Sequence, residues 1–245
     1  MEMDRRERRN KFFLFFGIGV LFCCTVIAIY GIINSPDSDE DELEQELTRN
    51  EQMLNQNNND TATDSAAPET KAASSSAAEP QTTDEPEETI SVIGDSVFLG
   101  AAPAFQEQKK NAVIDAKISR QVYHGLDVAK KLNKKKKLGN TVIISLGTNS
   151  KFNPVTGQEL IDYLGSERTI YWINAYGKKL DFQKEVNKTI DNLAKKNPNV
   201  HVIYWDKEAK KHPNWFYQDG THLNTKGQKG FSAFVIREME KALNR

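Results

Sequence analysis

The chain has 245 residues, 38% hydrophobic and 27% charged, with 33 Lys and Arg against 34 Asp and Glu. That near-neutral total conceals segment charges of +2 over residues 1–11, −14 over 35–88 and +11 over 89–245, so net charge selects neither a nucleic-acid binder nor an acidic scaffold, and three physically different parts are expected. The two cysteines, Cys23 and Cys24, are adjacent, which excludes a disulfide framework and a metal site of ordinary spacing.

Residues 1–11 form a basic tail holding Arg5, Arg6, Arg8, Arg9 and Lys11. Residues 12–33 follow as 22 positions without a charge, which as a helix span roughly 33 Å, enough to cross a bilayer. Acidic residues (Asp37, Asp39, Glu40, Asp41, Glu42) lie beyond the run. The bias of positive charge toward the inside predicts a single-pass membrane anchor with a cytoplasmic N-terminus and an extracellular remainder. A cleaved secretory signal is the competing reading, but no A-x-A-like site follows, and no small residue precedes Cys23 as lipidation would require. Either way the C-terminal part is exported, which removes nucleic acid as a partner.

Residues 34–88 are rich in Asp, Glu, Asn, Gln, Ser, Thr, Ala and Pro and almost free of aromatic and branched apolar residues. Such a segment buries too little surface to offset its ordering entropy, and a disordered acidic spacer is expected. Leu43, Leu47 and Leu54 are the mark of one short amphipathic helix if the segment holds any structure.

After Glu88 short branched apolar runs alternate with segments of helical period, the pattern of a parallel α/β sheet. Strands are predicted over 89–93, 112–115, 141–146, 169–173 and 200–205, each nearly continuously apolar, as burial on both faces demands. Helices are predicted over 99–108, 124–137, 157–164, 182–196 and 225–243. The order predicts one domain over 89–245, a doubly wound α/β/α three-layer sandwich on a five-stranded parallel sheet.

Ligands of such sheets sit beyond the carboxyl ends of the strands. There the sequence places Gly94-Asp95-Ser96, Gly147-Thr148-Asn149, Asn174 and, after the last strand, Asp219-Gly220-Thr221-His222. A serine where a strand turns into a helix meets backbone N–H groups and the helix dipole, as suits an acyl-transfer nucleophile. His222 is the candidate base for Ser96, with Asp219 on its other ring nitrogen. Asn149 is a candidate amide donor to a developing oxyanion. Taken singly, each cluster also reads as a cap, a loop or a β-turn; together, at one end of one sheet, they favour a site.

Those blocks resemble the SGNH (GDSL-like) hydrolases, whose motifs read GDS, a glycine, GxN and DxxH, and the resemblance covers essentially residues 89–245. It implies a flavodoxin-like sheet, Ser96 as nucleophile, His222 as base, Asp219 as its orienting acid, and no metal or cofactor. The segments Gly94-Asp95-Ser96-Val97-Phe98-Leu99-Gly100-Ala101 and Asp115-Ala116-Lys117-Ile118-Ser119-Arg120-Gln121 look more narrowly like the extracellular C-terminal domain of peptidoglycan O-acetyltransferases. Ser119 stands where the second-block glycine is expected, so the implied oxyanion hole comprises the backbone N–H groups of Ser96 and Ser119 and the Asn149 amide. Asp95, Arg120, Gln121 and Asn174 are candidate substrate contacts, although an Arg at a helix start is as readily a surface residue. Such transferases usually carry a multi-helix membrane acyltransferase domain, so this chain implies a separate acyl-donor protein.

His124, His201 and His212 have no partner placed by sequence and form no metal pattern. The lysines at 130, 131 and 134–137 suit a helix C-terminus, and the basic domain suits an anionic wall polymer. Trp205 reads as core, while Trp215, Phe216 and Tyr217 either line a pocket or pack a loop. The expected function is a serine esterase or O-acetyltransferase acting on cell-wall glycan or another acylated carbohydrate. The alternatives are an inactive wall-binding domain and a lipase or thioesterase.

Overall fold

A computed structural model describes residues 37–60 and 89–243. The expected basic tail, the apolar run 12–33 and the spacer residues 61–88 lie outside the described residues. Among the described residues no helix is long and apolar enough to cross a membrane.

Helix α1 (Asp37–Asp60) lies where an unstructured spacer is expected. From Gln45 onward it belongs to the same compact unit as the sheet, and there Leu47 and Leu54 are buried. Apolar anchors seven residues apart on one face, with Asn50 between them also buried, supply packing that the acidic composition of the segment does not announce.

The sheet is built from β1 (Ile90–Gly94), β2 (Val113–Ala116), β3 (Thr141–Ser145), β4 (Thr169–Ile173) and β5 (Val200–Ile203). All pairings are parallel and the order is β2-β1-β3-β4-β5. Every residue of β1 and β3 is buried, whereas edge strand β5 exposes His201; hence the unbroken apolar runs in the middle of the sheet and a polar break at its rim.

Helices cover both faces. On one, α3 (Gly125–Lys134), α4 (Pro154–Leu164) and α5 (Gln183–Lys196) bury Leu132, Leu160 and Ile190 against Ile93, Ile144 and Trp172. On the other, α2 (Ser96–Gln108) and the last helix pack together, with a short helix α6 (Trp205–Ala209) between β5 and that last helix, α7 (Thr225–Leu243). Phe98, Phe231 and Trp205 meet edge to face there at centroid distances of 5.8 and 4.9 Å. Tyr171 donates its hydroxyl to the Met239 carbonyl at 3.2 Å, seating α7 over β4.

The predicted helix at 99–108 begins instead at Ser96, because Asp95 caps it: its φ is −99° and its carboxylate accepts the Val97 N–H. Residues 204–205 leave the predicted last strand, and Trp205 opens α6. The strand order reverses at β1, whose neighbours are β2 and β3. A crevice therefore opens beyond the carboxyl ends of β1 and β3, the place such sheets bind ligands.

Candidate active site

Ser96 is the first residue of α2, directly beyond β1. Gly94 makes that turn possible, since a Cβ there would lie 2.9 Å from Phe98 Cβ and 3.1 Å from Ala116 Cβ. The Asp95 N–H donates to the Ser145 carbonyl at 3.0 Å, tying the turn to β3. The helix N-terminus thus presents Ser96 with its dipole and unsatisfied N–H groups.

His222 Nε2 lies 2.9 Å from Ser96 Oγ, and its Nδ1 lies 2.5 Å from Asp219 Oδ2. The local sequence builds this arrangement. Asp219 Oδ1 accepts the N–H groups of Thr221 and His222 at 2.8 and 3.0 Å, closing a tight turn around Gly220, which has φ of +68° and so uses the freedom of glycine. Burial alone pushes the Asp219 carboxyl up, but the His222 ring and those two amides outweigh it and hold the group below its ordinary value. An ionised Asp219 fixes the tautomer in which Nδ1–H donates and Nε2 is free to accept from the Ser96 hydroxyl.

Ser119 adopts φ of +57°, the left-handed conformation a glycine would favour, so the turn forms with the serine side chain exposed. The turn is held from behind. The Lys117 N–H donates to the Gly94 carbonyl at 3.2 Å, and Asn149 Nδ2 donates to the Arg120 carbonyl at 3.2 Å. The Ser96 turn, the Ser119 turn and Asn149 therefore share the rim above β1 and β3. A cleft of about 280 Å³ opens beside it, bordered by Lys117, Ser119, His124, Asp127 and Lys131.

Three residues expected to meet substrate are buried and hydrogen-bonded within the protein, Arg120 among them also lining the cleft. Asp95 is buried, accepting from Val97 N–H at 3.0 Å and from the Thr148 hydroxyl at 2.6 Å; burial raises its pKa, opposed by those hydrogen bonds. Arg120 is buried and donates to the carbonyls of Gly94 and Asp115 and, at 2.6 Å, to Asp115 Oδ1. Asn174 is buried and exchanges hydrogen bonds of 2.6 and 2.9 Å with Asp206, clasping β4 to α6. In each case a buried polar side chain finds its hydrogen-bond partners in main chain or a carboxylate of the same domain. Gln121 is half-buried and accepts from Ser150 Oγ at 2.8 Å.

The remaining histidines sit on aromatic neighbours: His124 on Tyr123, His201 near Tyr171, and His212 stacked on Trp215 at 3.8 Å. Trp205 is core. Among the described residues no three His, Cys, Asp or Glu side chains are grouped to hold a metal. Sequence reasoning missed Thr148, the partner of Asp95, although its place inside the Gly147-Thr148-Asn149 block was the available signal. It also missed Tyr217 as a support: Tyr217 N–H donates to the His222 carbonyl at 2.9 Å, and Phe216 bridges Leu223.

A five-stranded parallel sheet with its reversal at the first strand carries Ser96, His222 and Asp219 in hydrogen-bonded succession at its carboxyl edge. No protein-family model matches the chain. It is 34% identical over 150 residues to the O-acetyltransferase OatA of Staphylococcus aureus, a match taking in 61% of this chain and 24% of the relative. The chain thus spans about a quarter of the length of the curated relatives it matches. Its fold is shared with the C-terminal catalytic domain of peptidoglycan O-acetyltransferase A (OatA) of Streptococcus pneumoniae, solved with a methylsulfonyl adduct: TM-score 0.57, 24% identity, 64% of this chain and 95% of that one. A carbohydrate esterase of family 3 from Talaromyces cellulolyticus shares it at TM-score 0.52 and 14% identity, over 63% of this chain and 97% of that one.

Proposed function

We propose that this chain is a serine-dependent esterase or O-acetyltransferase of cell-wall glycan, anchored in the membrane through residues 12–33 with its globular unit outside the cell. The observation that carries the reading is the 2.9 Å contact of Ser96 Oγ with His222 Nε2, backed by Asp219. The similarity to O-acetyltransferases supports acetyl as the group moved, and the basic globular unit suits an anionic wall.

The chemistry runs in two balanced halves. Ser96 Oγ attacks the carbonyl carbon of an acetyl ester while its proton passes to His222 Nε2, and negative charge collects on the carbonyl oxygen. The N–H groups of Ser96 and Ser119 and the Asn149 amide are the donors for that oxygen. Collapse breaks the ester bond, and the leaving alcohol takes the proton from His222. In the second half His222 removes a proton from the acceptor hydroxyl, which attacks the acetyl-Ser96 carbonyl; the acetyl–Oγ bond then breaks and His222 returns the proton to Ser96 Oγ. With water as acceptor the result is hydrolysis; with a sugar hydroxyl it is transfer.

The test uses the full-length chain with a chromogenic acetyl ester, as wild type and Ser96→Ala, with and without a chitooligosaccharide acceptor. Release that depends on Ser96 is the expected outcome, with acetylated sugar identifying transfer. Equal release by Ser96→Ala, or none from a folded wild type, would refute the assignment.

A further inference from the structure

Helix α1 reaches the supports of the relay. Glu46 Oε2 accepts from the Tyr217 hydroxyl at 3.1 Å, and Glu46 Oε1 accepts from Gln228 Nε2 at 2.6 Å. Both donors hold main chain on either side of the base. Tyr217 takes the His222 carbonyl through its N–H and the Gly220 N–H through its carbonyl, each at 2.9 Å. Gln228 Nε2 also donates to the Leu223 carbonyl at 3.1 Å.

One turn along, the same helix meets the element that begins at Ser96. Asn50 Nδ2 donates to the Leu99 carbonyl at 3.2 Å. Leu47 is buried and packs beside Gly100, its Cδ2 lying 3.6 Å from where a Cβ of that residue would sit, an ordinary van der Waals distance. One helix therefore touches both carriers of the relay, α2 with Ser96 and the 217–223 segment with Asp219 and His222. A mere tether has no need of a bidentate carboxylate aimed at two residues that both flank the base.

We propose that α1 is a brace for the relay and that Glu46 is its positioning residue, so that the alignment of His222 with Ser96 depends on the helix being seated. The inference builds on the reading of Ser96 as nucleophile, and it makes the segment preceding the domain part of the working site. Undocking α1 leaves Tyr217 and Gln228 without their common acceptor and frees the Asp219–His222 turn to drift from Ser96.

The experiment compares the full-length wild type with Glu46→Ala and Glu46→Gln by two readouts, steady-state hydrolysis of a chromogenic acetyl ester and amide exchange at Tyr217, Gly220 and His222. Glu46→Ala is expected to lower kcat about tenfold with KM within about twofold, and to speed exchange at those three amides about tenfold or more while strand amides stay protected. Glu46→Gln retains an acceptor for one donor and should fall between. Unchanged exchange at the three amides overturns the brace, as does a loss of protection spread evenly over the sheet, which marks a merely stabilising helix. An inactive wild type whose three amides still respond to Glu46→Ala refutes the esterase reading and leaves the brace standing. An active wild type with unresponsive amides does the reverse.

Discussion

Replacing Arg120 by Met removes the staple behind the Ser119 turn while keeping most of the side chain's apolar volume. Arg120 and Asp115 are 8% and 11% exposed as side chains and meet at 2.6 Å. Removing one partner of a buried pair costs about 3–5 kcal/mol. Asp115 keeps Lys131 at 2.9 Å, and the Gly94 carbonyl keeps the Lys117 N–H, so the lower end, about 3 kcal/mol, applies here. For a domain of this size that lowers Tm by about 6–12 °C. The effect also carries a pH signature. Burial pushes the Asp115 carboxyl up, but Arg120 and Lys131 prevail and hold it below its ordinary value. A carboxyl depressed by folding lends stability above its unfolded pKa, and that stability is lost as pH falls through the folded value, so the wild-type advantage should narrow below about pH 4. The assay is thermal unfolding of the full-length chain from pH 7 down to 3, alongside acetyl-ester kinetics. An unchanged Tm with a raised KM would refute the reasoning and return the guanidinium to the substrate; a Tm loss equal at pH 7 and 3 would refute the charge argument.

Asp219→Asn should leave the turn folded, since the amide oxygen still accepts the Thr221 and His222 N–H groups, yet lower kcat by about 10³–10⁴-fold through loss of the tautomer; a loss under tenfold in ester hydrolysis would count against the relay. Ser119→Gly should raise stability by about 1 kcal/mol, because the left-handed φ of +57° costs a side-chain residue about that much. Urea unfolding measures it, and a destabilised glycine variant would contradict the turn described above. Thr148→Val removes a donor from Asp95, whose carboxyl burial already raises, and should cost about 1–3 kcal/mol. A carboxyl whose pKa is raised by folding weakens the folded state as pH climbs from the unfolded value of about 4 through the folded one, so this variant's deficit should grow as pH rises above about 4, which thermal melts along a pH series will show.

Much of the sheet was legible because β1, β3 and β4 lie between two layers of helices, so their sequences carry few polar interruptions. Their spatial order was not, since nothing local states that β2 and β3 flank β1. The relay was legible for a local reason, Ser96 lying at a strand-to-helix turn and Asp219 three residues from His222. The inward-facing polar residues were not. Asp95, Arg120 and Asn174 have the chemistry of substrate contacts, and only the fold decides whether such a group faces the crevice or closes a buried hydrogen bond. Helix α1 was obscured for an energetic reason: its few anchors, Leu47, Asn50 and Leu54, are supported by a surface on the domain that the segment's own composition does not reveal.

The turn at Asp219 divides one carboxylate between two tasks, Oδ1 for main-chain amides and Oδ2 for the imidazole. Loop shape and ring angle are therefore a single degree of freedom. A glutamate at this position, one methylene longer, would have to abandon the amides to reach the ring or abandon the ring to keep the amides. The acid's length is thus dictated by the backbone beneath it as much as by the base above it, and lengthening the loop by even one residue would detune the ring although no residue of the relay had been replaced.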